Sequence, residues 1–340
     1  MDNFNLKNTL SQLCSATGVS GCEMNVSQLC AELLGRYTNK VKIDAFNNVT
    51  AEIGEFDPEK PTLLLDAHLD EIGFVVSYIT DDGFIKVSAC GGIDERILPA
   101  SQVTVYGKQK LVGVFTSVPP HLQKDHSKAA QLSDLYIDLG MSGEQVKDMV
   151  SLGDIALIEN TPEVMNSLFT SKAVDDRAGV AAILNTLEEL SDKNTVFNIQ
   201  VLFSSKEEVG SQGATTAAFL MNVDYSIAVD VSFGKTFGES SENIGIMGDG
   251  AMIGFSSVLS RELSKALVDT AKEASIPYQL EVMPGRTGTN SDAISTSGAG
   301  SAACTLSIPI RNMHTPVECV DIADIENTAR LLAAFCERGL

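Results

Sequence analysis

The chain has 340 residues, 44% of them hydrophobic, which is enough apolar material for one large folded domain plus a smaller one. Its 45 acidic and 24 basic residues give a formal charge of −21. Because nucleic acids and anionic membranes bind cationic surfaces, this charge argues against both as partners.

The first part of the chain predicts a helix followed by extended segments. The stretch "NVSQLCAELLGRY" over 25–37 is amphipathic at the helical period, whereas 40–54 and 61–66 read as extended chain. The run "LLLDAHLDEIGF" over 63–74 begins with three leucines and then places four ionisable side chains within six residues. This pattern is typical of a buried strand whose carboxyl end carries polar groups.

The middle of the chain predicts a small all-β unit. From 72 to about 118, runs such as "GFVVSYIT" and "FIKVSA" are separated by turns and show no helical period. A loop-like segment follows over 119–135, and then a short helix is expected after Ser142, with Gln145 completing a capping box. This block lies between two parts of α/β character, so we predict an inserted small β-barrel over 73–161.

After residue 170 helices and strands alternate, which predicts a doubly wound and largely parallel sheet. The main α/β domain is therefore expected to comprise 1–72 and 162–340. The predicted helices are 176–190, 212–221, 258–274 and 321–337, and the predicted strands are 196–204, 224–231, 278–283 and 302–308.

Targeting and disulfide signals are missing from the sequence. The N-terminal stretch lacks the pattern of a secretory signal, and no apolar run approaches the ~20 residues that span a bilayer. The seven cysteines never form a Cys-x-x-Cys pair, which argues against a disulfide framework or a thiolate zinc site. We therefore expect a cytoplasmic protein.

Polar residues that follow the predicted strands are candidates for a ligand site, because ligands of open α/β sheets bind beyond the carboxyl ends of the strands. Two of the four histidines, His68 and His314, lie at such ends, whereas His121 and His126 lie in the loop of the β insert and are interpreted as structural. Carboxylates gather at the same edge, namely Asp175, Glu207, Glu208 and Asp230. Imidazoles combined with carboxylates suit zinc, cobalt or manganese.

Asp70 lies two residues after His68, so both side chains point the same way in an extended chain. Metal-bound histidines usually donate the far ring N–H to an outer partner. Asp70 is therefore predicted to orient His68.

Five segments together resemble a known family. "AHLDEIGF", "KAVDDRAGV", "SSKEEVGSQGA", "AVDVS" and "IPIRNMHTPVE" are similar, in this order, to the metal-site segments of the tetrahedral dinuclear metallo-aminopeptidases. That family includes glutamyl aminopeptidases and proteins named cellulase M or endoglucanase. The resemblance also takes in "GRTGTNSDAIS" and covers almost the whole chain. It implies an α/β zinc-exopeptidase-like domain interrupted by a PDZ-like barrel, twelve subunits in a hollow tetrahedron, and short peptides as substrates.

The resemblance also implies roles for individual residues and two divalent metal ions per subunit. Asp175 would bridge the two ions, His68 and Asp230 would complete the site of one, and His314 with Glu208 would complete the site of the other. Glu207 would be the general base of peptide hydrolysis, and Asp70 would assist as the partner of His68. Zinc or cobalt is the expected metal, with manganese as a further candidate.

Three other functions remain open from the sequence. A glycoside hydrolase would use two carboxyl groups without a metal and stacks sugars on aromatic platforms, for which a chain without Trp offers few candidates. A related dinuclear carboxypeptidase or amide deacylase would share the metal ligands. An inactive scaffold would keep the fold for assembly, although the complete ligand set argues against it.

Overall fold

The structure is a computed structural model that describes residues 4–118, 130–238 and 244–340. His121 and His126 lie outside the described residues, as does most of the predicted loop over 119–135. The helices are α1 (Leu6–Ser15), α2 (Met24–Leu34), α3 (Gly143–Met149), α4 (Val174–Glu189), α5 (Gln212–Leu220), α6 (Arg261–Glu273), α7 (Ser291–Ile294) and α8 (Ile322–Arg338).

The strands alternate with these helices along the chain. They are β1 (Val41–Ile43), β2 (Val49–Ile53), β3 (Thr62–His68), β4 (Gly73–Ile79), β5 (Ile85–Cys90), β6 (Gln102–Tyr106), β7 (Lys110–Phe115), β8 (Ile137–Asp138), β9 (Ile155–Leu157), β10 (Glu163–Met165), β11 (Leu168–Ser171), β12 (Asn198–Ser204), β13 (Tyr225–Phe233), β14 (Ala251–Ser256), β15 (Tyr278–Met283), β16 (Ala302–Arg311) and β17 (Glu318–Asp321).

Eleven strands form one mixed sheet, in the order β1-β2-β12-β3-β13-β16-β17-β11-β10, with β14 paired to β16 and β15 paired to β14. The four central strands β12, β3, β13 and β16 are parallel, and most of the outer pairings are antiparallel. The parallel centre brings the carboxyl ends of four strands to one edge, which confirms the predicted α/β fold class.

Helices cover both faces of this sheet. On β3, Leu63 and Leu65 belong to the large core beneath α1, α4, α6 and α8, whereas Leu64 packs in a separate cluster beneath α5 and α7. Because successive strand residues point to opposite faces, a continuous apolar run is required where both faces are buried. The leucine run of β3 meets this requirement.

The second unit is a closed barrel in the order β4-β5-β8-β7-β6-β9, with an apolar interior built around Phe74, Phe115 and Ile137. The predicted helix after Ser142 is present, and its capping box with Gln145 is complete in both directions. The sequence therefore predicted the inserted barrel correctly, while the exact division of the chain at 72/73 and 161/162 stays a prediction.

The sequence analysis did not identify two helices, α1 and α7, or five short strands, β8, β10, β11, β14 and β17. Helix α6 begins at Arg261 and not at 258, because the Ser260 hydroxyl accepts the N–H of Leu263 and caps the helix. Among the described residues, no helix combines the length and the apolar character needed to cross a membrane.

Candidate active site

The sheet edge at the carboxyl ends of the parallel strands collects most of the residues that the sequence singled out. His68 ends β3, Glu207 and Glu208 follow β12, and Asp230 lies near the end of β13. His314 follows β16, and Asp175 lies in the first turn of α4. Parallel strand direction explains this convergence, because each strand delivers its following loop to the same edge.

Asp175 lies at the centre of the cluster. Its Oδ1 is 2.9 Å from His68 Nε2, and its Oδ2 is 3.4 Å from His314 Nε2. The two oxygens of one buried carboxylate therefore face two different imidazoles, which is the arrangement a ligand needs in order to bridge two cations.

Two groups of three side chains share this carboxylate. The first joins His68, Asp175 and Asp230, and the second joins Asp175, Glu208 and His314, with the ligand atoms of each group within 4.8 Å of one another. Nitrogen and carboxylate oxygen donors at such spacing suit divalent zinc, cobalt or manganese. The donor set therefore fits two divalent ions, and the five predicted ligands lie together.

The cluster holds several carboxylates, of which those of Asp175 and Asp230 are buried. Burial raises the pKa of Asp230 well above its usual range, and the nearby Asp176 raises it further. Hydrogen bonds to Asp175 and Glu208 raise the pKa of His314 to about 11. The neighbouring carboxylates contribute to both shifts, because they repel one another and attract positive charge. They therefore stabilise a cation placed between them, whether an imidazolium or a bound metal ion.

Glu207 differs from its neighbour Glu208 because it belongs to neither ligand group. Burial raises the pKa of the Glu207 side chain to about 7, with His68 opposing this rise and Glu208 adding to it. A carboxyl group with a pKa near neutrality can both accept and return a proton at physiological pH. Its environment suits the role of a general base.

Asp70 contacts His68 differently from the prediction. The ring Nδ1 of His68 lies 3.0 Å from the backbone carbonyl oxygen of Asp70 and 3.6 Å from its carboxylate Oδ1. The carboxylate instead accepts the N–H of Glu207 at 2.9 Å, the N–H of Glu208 at 3.1 Å and the hydroxyl of Ser20 at 2.6 Å. The Asp70 backbone therefore orients the imidazole, while its side chain holds the loop that carries both glutamates.

Glu318 is a site residue that the sequence reasoning did not assign. This buried carboxylate accepts the backbone N–H of Asp175 at 3.0 Å and that of His314 at 2.7 Å. It thereby joins the two segments that approach each other at the second group. Its position four residues after His314, inside a quoted motif, was the available signal.

Asp176 and Arg177 have supporting roles. Asp176 accepts the N–H of Gly179, which caps the regular part of α4, and it also accepts the backbone N–H of His68. Arg177 is fully buried and donates to the carbonyl of Leu13 in α1. Asp176 thus caps α4 and also holds the end of β3 against α4.

A cavity of about 450 Å³ opens beside the two groups. His68, Asp175, Glu207, Glu208, Asp230 and His314 line one side. Residues of β13, β15, β16 and the following loops line the rest, including Ser232, Glu281, Met283, Thr289, Ser307 and Met313. The cavity has the size of a small-molecule site, so it can receive the end of a peptide chain beside the candidate ligands.

Comparison with known proteins agrees with this site. A family model described as M42 glutamyl aminopeptidase matches residues 47–331. The lysyl aminopeptidase of Pyrococcus furiosus is 30% identical over 338 residues, which cover 96% of this chain and 96% of that protein.

Solved structures show the same fold. An aminopeptidase from the archaeon Desulfurococcus kamchatkensis is 33% identical, with a TM-score of 0.92 over 98% of this chain and 95% of that one. The TET1 peptidase of Pyrococcus horikoshii, which can assemble into a tetrahedron or a large octahedral shell, is 28% identical, with a TM-score of 0.86 over 98% and 99% of the two chains. The chain therefore belongs to the M42 glutamyl aminopeptidase family and is a peptidase hydrolase.

Proposed function

We propose that the protein is a metal-dependent aminopeptidase that removes N-terminal residues from short peptides, with two divalent ions and Glu207 as general base. The observation that carries this proposal is the placement of Asp175, whose two oxygens face His68 and His314. His68 and Asp230 would hold one ion with Asp175, and His314 and Glu208 would hold the other.

Each group contributes a defined part of the chemistry. Bound divalent ions supply Lewis acidity, which lowers the pKa of a water molecule and polarises the peptide carbonyl. Glu207 accepts the proton of the attacking water and returns it to the departing amine, a role typically worth about 10²- to 10⁴-fold in rate. The Asp70 carboxylate positions Glu207 by accepting the backbone N–H of Glu207.

The charge of the cavity favours an aminopeptidase over a carboxypeptidase. Five carboxylates line it, those of Asp175, Glu207, Glu208, Asp230 and Glu281, and its lining includes no Lys or Arg of the described residues. Two divalent ions would balance four of these carboxylates, so the lining would keep a net negative charge, which favours a protonated α-amine over a C-terminal carboxylate. This difference supports cleavage at the N-terminal end of a peptide.

A panel of aminoacyl-p-nitroanilides with free and with acetylated α-amines tests the proposal. We expect hydrolysis of free-amine substrates only, loss of activity on chelation, and recovery with zinc, cobalt or manganese at about two equivalents per chain. A glycoside hydrolase would hydrolyse none of these substrates, and an amide deacylase would accept the acetylated ones. Full activity at one equivalent would contradict the shared-carboxylate arrangement.

We further propose that the chain self-associates, as a homododecamer, in the cytoplasm, with the barrel of 73–161 contributing contacts between subunits. Support comes from the TET1 peptidase, whose similarity extends over 98% of this chain. Light scattering should give a particle of about twelve chains. A fully active monomer would contradict the proposal.

A further inference from the structure

Glu281 is a buried carboxylate in the cavity that none of the proposed catalytic roles uses. It lies on β15 and is only 7% exposed, and it lines the cavity together with its neighbours Val282 and Met283. Charged residues are seldom buried without a partner that carries the opposite charge.

Two hydroxyl groups hold this carboxylate in place. The Ser232 hydroxyl donates to Oε1, and the Ser307 hydroxyl donates to Oε2 at 2.7 Å. Ser307 pairs in register with Asp230, and Ser232 follows Asp230 by two residues on β13. Given strand spacings of about 5 Å and a rise of about 3.3 Å per residue, the backbones of these two serines lie roughly 5–7 Å from that of Asp230, a candidate ligand.

Neither hydroxyl neutralises the charge of Glu281. Among residues 4–118, 130–238 and 244–340, no Lys, Arg or His forms an ion pair with it. Two divalent ions would bring four positive charges, which balance the four carboxylates of Asp175, Glu207, Glu208 and Asp230. Glu281 is the fifth carboxylate of the cavity and is left without a counter-charge.

Apolar residues line the same cavity as the candidate ligands and Glu281, among them Met283 and Met313. The side chains of lysine and arginine have a flexible methylene stem that packs on apolar surface and a cationic head that seeks a carboxylate. The cavity offers both features, an apolar lining and a buried carboxylate.

We propose that Glu281 binds the cationic side chain of the substrate's N-terminal residue, so that the enzyme prefers peptides beginning with lysine or arginine. This inference rests on the proposed aminopeptidase function, whose scissile bond lies beside the metal-binding groups. A glutamate side chain at the same place would meet a like charge, which makes acidic N-terminal residues the poorest substrates.

The test compares lysyl-, norleucyl- and glutamyl-p-nitroanilide on wild type and on the Glu281→Gln variant. Norleucine matches the lysine stem but lacks its charge. Wild type should prefer the lysyl substrate, and Glu281→Gln should lower the lysyl to norleucyl ratio of kcat/KM roughly 10- to 100-fold, as expected for loss of a charge-assisted contact. The norleucyl kcat/KM should stay within about twofold, as for a site whose other contacts are unchanged.

The exposed Glu262 of α6 supplies the matched control, since Glu262→Gln removes the same charge away from the cavity. It should leave the substrate ratio unchanged. Equal losses on all three substrates would show that Glu281 has a structural role or binds the α-amine, and would overturn the inference. Wild-type preference for the norleucyl or glutamyl substrate would also overturn it.

Inhibition of wild type gives a second measurement that needs no variant. Lysinamide should inhibit hydrolysis of leucyl-p-nitroanilide more strongly than norleucinamide, and equal inhibition would contradict the role of Glu281. If wild type with restored metal hydrolyses no aminoacyl substrate, the proposed function fails. If wild type hydrolyses aminoacyl substrates without preferring lysine, the proposed function stands and only the role of Glu281 is refuted.

Discussion

The barrel and the main domain differ in whether they bury ionisable side chains. In the described part of the barrel, no Asp, Glu, Lys, Arg or His side chain is buried, and the interior is formed by residues such as Phe74 and Phe115. Its ion pairs lie at the surface, as between Lys108 and Asp148, whose side chains are 64% and 71% exposed. The interior of the barrel is therefore stabilised by apolar burial and not by buried charge.

The main domain instead buries many ionisable side chains near one edge of its sheet. They include His68, Asp70, Glu71, Lys172, Asp175, Asp176, Arg177, Asp230, Glu281 and Glu318. Burying a charge opposes folding unless a partner compensates it. Concentrated buried charge thus distinguishes the functional region of this molecule from the part that serves packing, and the following experiments test this distinction.

The largest effect is expected from Glu207→Gln. An amide cannot accept the proton of the attacking water, so kcat should fall about 10²- to 10⁴-fold. Metal content should stay near that of wild type, because Glu207 belongs to neither ligand group. Glu208→Gln is the matched control, and it should lower the metal content measured by elemental analysis. Near-normal kcat in Glu207→Gln would reject the assignment of the base.

Lys172→Met should strongly destabilise the main domain. Lys172 Nζ lies 2.7 Å from Glu71 Oε2, and the two side chains are only 6% and 2% exposed. Removal of Lys172 leaves Glu71 with the more distant Arg177 Nη2, at 3.9 Å, and breaking a buried pair costs about 3–5 kcal/mol in unfolding free energy. Lys108→Met breaks the exposed pair of the barrel and should leave urea unfolding unchanged within error. Similar losses of unfolding free energy in both variants would contradict the proposed difference in buried charge between the main domain and the barrel.

Phe115→Ala should destabilise the barrel without changing the chemistry. The Phe115 ring is 1% exposed and packs edge to face on Phe74 at 5.1 Å between centroids. Its truncation should cost about 3–5 kcal/mol of unfolding free energy, while kcat of the folded protein stays at the wild-type value. Val112→Ala on the same strand, where the side chain is 61% exposed, should change neither quantity. A large loss of kcat in folded Phe115→Ala would mean that the barrel interior shapes the site.

Asp70→Asn should have the smallest effect of the four. The amide keeps one acceptor oxygen but turns an NH₂ group toward a backbone N–H of Glu207 or Glu208, so kcat or metal affinity should fall about 10- to 100-fold. Asp324→Asn is a matched control, because Asp324 also accepts two backbone N–H groups, those of Gly248 and Gly250, outside the cavity. Both variants should lose stability, measured by thermal unfolding. Equal kinetics in the two would assign Asp70 a purely structural role.

Several features of the fold were predictable because they depend on local pattern. The leucine run of β3, the capping box of Ser142 and Gln145, and the alternation after residue 170 each carry a signal within a short window. Strand β14 was missed because short apolar runs do not distinguish strand from buried helix, and its partners β15 and β16 are later in the chain. Helix α1 was also missed, although Leu6, Leu10 and Leu13 recur at helical spacing and pack into the main core.

The sequence by itself determined the fold class, the order of the site segments and the residue types that they bring to one sheet edge. These properties follow from periodicity and from the rule that parallel strands end at the same edge. Only the tertiary structure decided which oxygen of Asp175 faces which histidine, that the Asp70 carboxylate holds the glutamate loop, and that Glu281 is buried in the same cavity as Asp230. A charged residue in a strand can face solvent or a cavity, and the choice depends on long-range strand pairing, which leaves no trace in the neighbouring residues.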